Sequence, residues 1–173
     1  MFSKDDMMVY ADTGVCRVMD VGIPAHLADF AKGRPYYELE PLYSVGTIYI
    51  PVDAPIPMRA VMTKTQAEQL ISNIPNVKEE DLSGLDTRSL TEKYKNALSS
   101  QECTEMVRLI KTVRKKAKAA EEGGRRPGKL DKEYSKRARE LLYGELSVAL
   151  DLPLEQVEEH IRDHLSIRQD DEE

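Results

Sequence analysis

An alternating stretch between residues 36 and 52 constrains the fold of this chain more than any other feature. Two apolar residues alternate with two glutamates in segment 36–42, and the same period of two returns in segment 47–52. Such alternation predicts β-strands with one buried and one solvated face. Gly46 can adopt the positive φ that a tight connection often needs. The stretch is therefore predicted to be a β-hairpin.

A hairpin alone is not stable in water, so the residues around it must pair with it. Segments 7–10, 15–21 and 58–61 have strand composition. Segment 22–35 contains two prolines and two glycines and is predicted to be a loop, with a helical turn near its middle. Short strands at this spacing predict a small, strongly bent sheet or partly open barrel that spans residues 1–61.

After residue 61 the sequence changes to a helical pattern. The predicted helix starts are two capping-box pairs and two further capping residues: Thr65 with Glu68, Ser89 with Glu92, Ser100 and Asp131. Residues 76–87 are predicted to be a polar linker. We expect an all-α bundle of about five helices over residues 62–168, followed by an acidic tail at residues 169–173. The predicted fold class is thus α+β.

The charge of the chain is distributed unevenly. Segment 108–139 carries 13 Lys or Arg and 4 Asp or Glu, a net charge of +9. Because the whole chain carries −6, the remainder carries −15. This asymmetry is typical of a protein that meets a polyanion with one face. Phosphate contacts require only cations within reach, so DNA binding is one interpretation; a merely solvated charged face is the other.

No catalytic or metal-binding pattern is complete in this sequence. The run from Gly123 to Lys129 fits G-x-x-x-x-G-K, but Leu130 stands where a P-loop has Ser or Thr. His160 and His164 have helical spacing without a third ligand. Cys16 and Cys103 lie far apart and suggest a reduced cytoplasmic setting. We therefore expect no enzyme activity, no metal and no cofactor. We also expect neither a signal peptide nor a membrane span.

Short motifs follow each other in a distinct order over both predicted domains. They are Val9-Tyr10-x-x-x-Gly14-Val15-x-Arg17-Val18, Tyr36-Tyr37-x-Leu39, Ile48-x-Ile50-Pro51-Val52, Met58-Arg59, Lys93-Tyr94-Lys95-x-x-Leu98 and Leu141-Leu142-x-Gly144-Glu145-Leu146. This order resembles the CarD/CdnL family of bacterial transcription regulators. The N-terminal module is also similar to the RNA-polymerase-interacting domain of transcription-repair coupling factor.

This resemblance implies a Tudor-like β module that binds the RNA polymerase β subunit by a strand edge. It also implies a helical domain that contacts promoter DNA at the upstream edge of the melted bubble and so stabilises the open complex, without catalysis. Tyr49 stands where the family has a polymerase-facing residue, often Arg. Thr47 and Arg17 complete the predicted polymerase-binding set.

The predicted DNA-binding residues belong to the helical domain. Leu90 stands where family members carry a Trp that wedges into the minor groove. Of the two roles, wedge and core residue, we favour the core role, because an exposed Leu is a poor replacement for an aromatic wedge. Lys132 and Arg137 match basic positions that touch the DNA backbone. The basic segment adds Lys136, Arg125 and Arg126. The alternative function is a protein-interaction module that makes no DNA contact.

Overall fold

The computed structural model describes the backbone of residues 1–171 and the side chains of residues 1–166. The chain divides into two compact units, Met1–Val61 and Met62–Glu173. The first unit is a sheet and the second is helical, which confirms the predicted α+β class. The predicted acidic tail overlaps the last helical residues, and its two terminal glutamates lie outside the described residues.

The first unit is a five-stranded antiparallel sheet with strand order β4-β3-β2-β1-β5. Its strands are β1 (Met7–Tyr10), β2 (Gly14–Gly22), β3 (Tyr36–Pro41), β4 (Ile48–Pro51) and β5 (Met58–Ala60). Strands β3 and β4 pair from Tyr36 opposite Pro51 to Leu39 opposite Ile48, so the predicted hairpin is confirmed. Gly46 has a φ of 124° in its connection, as a glycine turn requires. The loop after β2 forms a 3-10 turn and the short helix α1 (Ala28–Ala31).

A bulge in β2 decides which side chains face the core of the first unit. Val18 lies opposite Leu39, but the next paired residue is Asp20, opposite Glu38. The extra residue keeps Val18 on the buried face and turns Asp20 to the solvated face. The core on the buried face consists of Met8, Cys16, Val18, Tyr37, Leu39 and Ile50.

Within the residues that the structure describes, the second unit contains five α-helices. They are α2 (Lys64–Asn73), α3 (Thr87–Ser99), α4 (Cys103–Glu122), α5 (Lys129–Leu150) and α6 (Val157–Asp171). Their apolar faces meet in a single core that includes Ile71, Tyr94, Leu142 and Val157. The predicted polar linker at residues 76–87 also contributes, because Val77 and Leu82 are buried in this core. Among the described residues, none of the helices combines the length and the hydrophobicity needed to cross a membrane.

The two predicted capping boxes, Thr65 with Glu68 and Ser89 with Glu92, are wrong. Helices α2 and α3 each begin before the predicted cap. Helix α2 is capped by Thr63, whose side chain accepts a hydrogen bond from the Gln66 backbone N–H while Gln66 binds back. Helix α3 is capped by Asp86, which accepts the Ser89 backbone N–H at 2.7 Å. In both helices the free backbone N–H groups of the first turn are capped by a residue two or three positions before the predicted one.

The two other predicted caps, Ser100 and Asp131, are also wrong. Helix α4 begins only at Cys103, and the Ser100 hydroxyl accepts the Glu102 backbone N–H ahead of it. Helix α5 has Gly128 at its N-cap position, so Asp131 lies inside the first turn. Asp131 is buried there and binds side chains from α3 and α4 instead of its own backbone.

Candidate interaction surfaces

Strand β4 forms one edge of the sheet, since among the residues that the structure describes it pairs with β3 alone. Ile50 of this strand is buried and Ile48 packs against the core, so Tyr49 faces the opposite side. Thr47 is exposed immediately before the strand. Two of the three predicted polymerase-binding residues therefore lie together at a free edge.

Tyr49 is held in place by neighbours on both sides. It lies opposite Glu38 on β3, and the His26 ring packs edge-on against it with ring centres 4.7 Å apart. Partial burial, followed by the negative charge of Glu38, raises the pKa of Tyr49, so its hydroxyl stays protonated. Tyr49 can thus donate or accept a hydrogen bond and also offers an aromatic surface.

Arg17 lies on the same face of the sheet as Tyr49 but not at the edge. It is exposed on β2, opposite Glu40 of β3, while Tyr49 is opposite Glu38 of the same strand. Two glutamates thus separate Tyr49 from Arg17. A partner must cover β3 to reach both residues.

The loop that carries His26 adds apolar surface to this unit. Ile23 is 50% exposed and Phe30 is 79% exposed, although both are large apolar residues. The other end of the loop is fixed by an ion pair of 2.9 Å between Arg34 and Asp53. Single exposed apolar side chains are common on protein surfaces, so these two residues alone do not mark a contact surface.

In the helical unit, α5 carries the predicted cations on two different sides. Lys132 and Lys136 are exposed and four residues apart, so they share a face. Arg137 is five residues from Lys132 and therefore lies about 140° away around the helix. Its guanidinium is 3.4 Å from the Glu140 carboxylate. The structure brings Lys132 and Lys136 together, but it does not bring Arg137 to them.

The other predicted DNA-contacting residues are more scattered. Arg125 and Arg126 are exposed in the loop between α4 and α5. Leu90 lies in the first turns of α3, half-buried, and packs against the helical core. A half-buried Leu retains some exposed apolar surface, so this position is compatible with either role predicted for it.

Two cations of α4 that belong to the basic segment 108–139 have internal structural roles. The Lys111 ammonium group donates to the backbone carbonyl of Ile74 at 2.8 Å and also to that of Val77. The Arg108 guanidinium donates to the Lys78 carbonyl at 3.0 Å. These contacts hold the segment after α2 against α4. The sequence shows the charge of these two residues but not that their side chains bind backbone carbonyls of another segment.

A cluster of two arginines and a tyrosine was not found by the sequence analysis. Arg114 of α4, Tyr143 of α5 and Arg162 of α6 line one cavity. They are separated by 29 and 19 positions in the sequence, so no local motif connects them. Only the packing of three helices brings them together.

No three His, Cys, Asp or Glu side chains within residues 1–166 are grouped so that they could hold a metal ion. His164 accepts or donates a hydrogen bond of 2.9 Å with the Ser72 hydroxyl, and its ring lies 6.4 Å from that of His160. The hydrogen bond between His164 and Ser72 thus links α6 to α2. Cys16 and Cys103 are both free thiols, and burial raises the pKa of Cys16 to about 11.

The fold and the free edge define the first unit as a small antiparallel module suited to strand-edge interactions. Residues 2–62 match the family model of the CarD-like/TRCF RID domain, which confirms the resemblance predicted for this unit. That family consists of non-enzymatic interaction domains that bind the RNA polymerase β subunit. The match ends where the helical unit begins. No curated protein matches the chain.

Proposed function

We propose that this protein is a bacterial transcription regulator that acts in the cytoplasm. Its first unit binds the RNA polymerase β subunit, and its helical unit contacts promoter DNA at the upstream edge of the bubble. The combined contacts stabilise the open complex. The protein provides no catalytic group in this role; it adds binding energy to one state of the polymerase and so shifts the population toward that state.

The observation that carries this proposal is the free β4 edge in a domain that matches a polymerase-interacting family. An edge strand has unpaired backbone N–H and C=O groups, which a strand of a partner protein can bind. Tyr49 and Thr47 supply side chains at this edge. The neighbouring Glu38 and Glu40 favour a partner strand that carries a cation.

The DNA contact is supported by the charge distribution of the helical unit. Lys132 and Lys136 form an exposed pair on α5, and Arg125 and Arg126 are exposed in the loop before it. Such groups bind phosphates without reading the sequence. The remaining chain is strongly acidic, so the DNA contact depends on the polymerase to hold the protein near the promoter.

Substitution of Tyr49 by Asp in the full chain tests the polymerase contact. The new charge lies beside Glu38 at the free edge, so we expect at least about tenfold weaker retention of core RNA polymerase. The lifetime of open complexes should fall with it. Retention is measured by pull-down and the lifetime by promoter competition.

Ala60→Asp is the matched control, because Ala60 is exposed on β5 at the opposite edge of the same sheet. It should bind polymerase like the unmodified protein. Equal losses in both variants, or no loss in Tyr49→Asp, would contradict the assignment of β4. Polymerase binding combined with no effect on promoter DNA would favour the alternative function, an interaction module without DNA contact.

A further inference from the structure

A cavity of about 290 Å³ lies between helices α4, α5 and α6 of the second unit. Arg114 contributes to it from α4, Tyr143 from α5, and Arg162 with Glu158 from α6. Ile161 and Leu165 supply apolar walls. Its volume is at the lower end of the range for small-ligand sites, so it suits a group of a few heavy atoms.

The charge around this cavity is positive. Arg114, Arg139 and Arg162 all act electrostatically on the Tyr143 hydroxyl, and among the side chains of residues 1–166 Glu158 is the one acid that does so. Glu158 lies 3.9 Å from Arg162, and both side chains are largely exposed. Arg114 forms no ion pair with any acid whose side chain the structure describes. The Glu158 carboxylate thus offsets one of the three positive charges.

The Tyr143 hydroxyl is suited to donate a hydrogen bond into this cavity. The ring is half-buried, and burial is the main cause that raises the pKa of Tyr143, followed by the charge of Glu158. The three arginines lower it but do not reverse the direction. The hydroxyl is therefore protonated at neutral pH. A protonated phenol and arginine guanidinium groups are all hydrogen-bond donors, and guanidinium groups match the geometry of phosphate oxygens.

The cavity continues the exposed cationic face of α5. Lys132, Lys136, Arg139 and Tyr143 follow each other at spacings of four, three and four residues, so they form one stripe along the helix. The stripe extends over about 16 Å, since each helical residue adds about 1.5 Å. It begins with the lysine pair described above and ends at the cavity.

We propose that this cavity binds a phosphate group, with Arg114, Arg162 and the Tyr143 hydroxyl as its donors and Arg139 one helical turn before Tyr143 on α5. The phosphate belongs either to the DNA backbone or to a free phosphate-bearing small molecule. In the first case the inference rests on the proposed function and extends the DNA track along α5. In the second case it is independent of that function.

The test begins with the full chain alone, without polymerase or DNA, and inorganic phosphate as the probe. Side-chain NMR signals of Arg114, Arg162 and Tyr143 should shift together and saturate with a single affinity. Arg114→Gln should weaken phosphate binding about tenfold, because it removes one charged donor. Tyr143→Phe should weaken it less, since a neutral donor is lost. Arg114→Lys should restore part of the affinity.

Arg88→Gln is the matched control, because it removes the same charge from an exposed position on α3, away from the cavity. It should leave the affinity for phosphate unchanged. Equal affinity in the unmodified protein, Arg114→Gln and Arg88→Gln would overturn the proposal. So would the absence of any saturable shift.

A second measurement distinguishes the two sources of the phosphate. If the phosphate belongs to DNA, Arg114→Gln makes the slope of log lifetime against log salt concentration shallower by about 0.9, the contribution of one neutralised phosphate. If it belongs to a free molecule, that salt dependence is unchanged while phosphate binding by the free chain is still weakened. Both outcomes support a phosphate site. Failure of the proposed function is recognised separately, since polymerase retention would then be missing while phosphate still binds.

Discussion

Asp131 shows how one buried side chain can join three helices. It accepts a hydrogen bond of 2.6 Å from the Tyr94 hydroxyl of α3. It also forms an ion pair of 3.0 Å with the Lys116 ammonium group of α4. Burial raises the pKa of Tyr94 above its usual range. The hydrogen bond to Asp131 and the charge of that carboxylate raise it as well. The Tyr94 hydroxyl therefore stays protonated and donates a hydrogen bond to the buried Asp131 carboxylate.

The Asp131 network predicts unequal effects of its members on stability. Asp131→Ala leaves the Tyr94 hydroxyl and the Lys116 ammonium group without their acceptor, so we expect a loss of about 3 kcal/mol in the free energy of unfolding. Tyr94→Phe removes one hydrogen bond and leaves the ion pair, and should cost about 1 kcal/mol. Denaturant unfolding measures both. A smaller effect for Asp131→Ala than for Tyr94→Phe would contradict this account.

Leu90 can be assigned by measuring stability and function in the same variant. Because the side chain is half-buried against the helical core, Leu90→Ala should lower the free energy of unfolding by about 1–2 kcal/mol. We expect open-complex lifetime to fall only as far as the folded fraction falls. Thermal unfolding and a lifetime assay at low temperature provide the comparison. A stable variant with a much shorter open-complex lifetime would show that Leu90 is a DNA wedge.

At the scale of single elements, the starts of the helices were the least predictable feature. Two threonines, Thr63 and Thr65, stand near the start of α2, and each has a Gln or Glu three positions later. The chain uses Thr63 with Gln66, because Thr63 has the extended backbone that an N-cap requires, with φ −73° and ψ 164°. Thr65 is already inside the helix. The choice depends on how Ala67 and Ile71 reach the core, which local sequence does not encode.

The two threonines therefore predict opposite results. Thr63→Ala removes the cap of α2 and should lower the free energy of unfolding by about 1 kcal/mol. Thr65→Ala should leave stability unchanged or raise it slightly, since Ala is favoured inside a helix and Thr65 is exposed. Urea unfolding of both variants provides the measurement. A greater loss in Thr65→Ala would restore the capping box predicted from sequence.

At the scale of the whole molecule, the separation of charge links the two proposed contacts. The segment 108–139 is strongly basic and the rest of the chain is strongly acidic. Free DNA is therefore attracted by only part of the surface and repelled by the remainder. We expect the free protein to bind duplex DNA weakly and without sequence preference, and to protect promoter DNA only when polymerase is present.

Neutralising Lys132 and Lys136 together tests the DNA contact in that complex. The double variant Lys132→Gln with Lys136→Gln should shorten open-complex lifetime, more at low salt than at high salt. The slope of log lifetime against log salt concentration should become shallower by about 1.8, because each of two lost phosphate contacts contributes about 0.9. Lys64→Gln with Lys78→Gln removes the same charge from exposed positions outside the basic segment. An equal effect of both pairs would show that only net charge matters, and would contradict a specific role for α5.

The sequence by itself determined the properties that depend on local pattern. Alternation set the hairpin of β3 and β4, and helical periodicity set the bundle after residue 61. Polar and apolar residues carry these periods directly, because each period repeats within a few positions of the chain. The family resemblance of residues 2–62 rests on the same local motifs.

Only the tertiary structure decided what happens between distant residues. Strict alternation along β2 would have placed Asp20 on the side of Val18, and the bulge reversed this because Asp20 pairs with Glu38 of β3. Asp131 became a buried acceptor, rather than a helix cap, because Tyr94 and Lys116 reach it from other helices. Arg114 and Arg162 became neighbours through packing alone. These partners are far apart in sequence, so only the packed fold determines which of them meet.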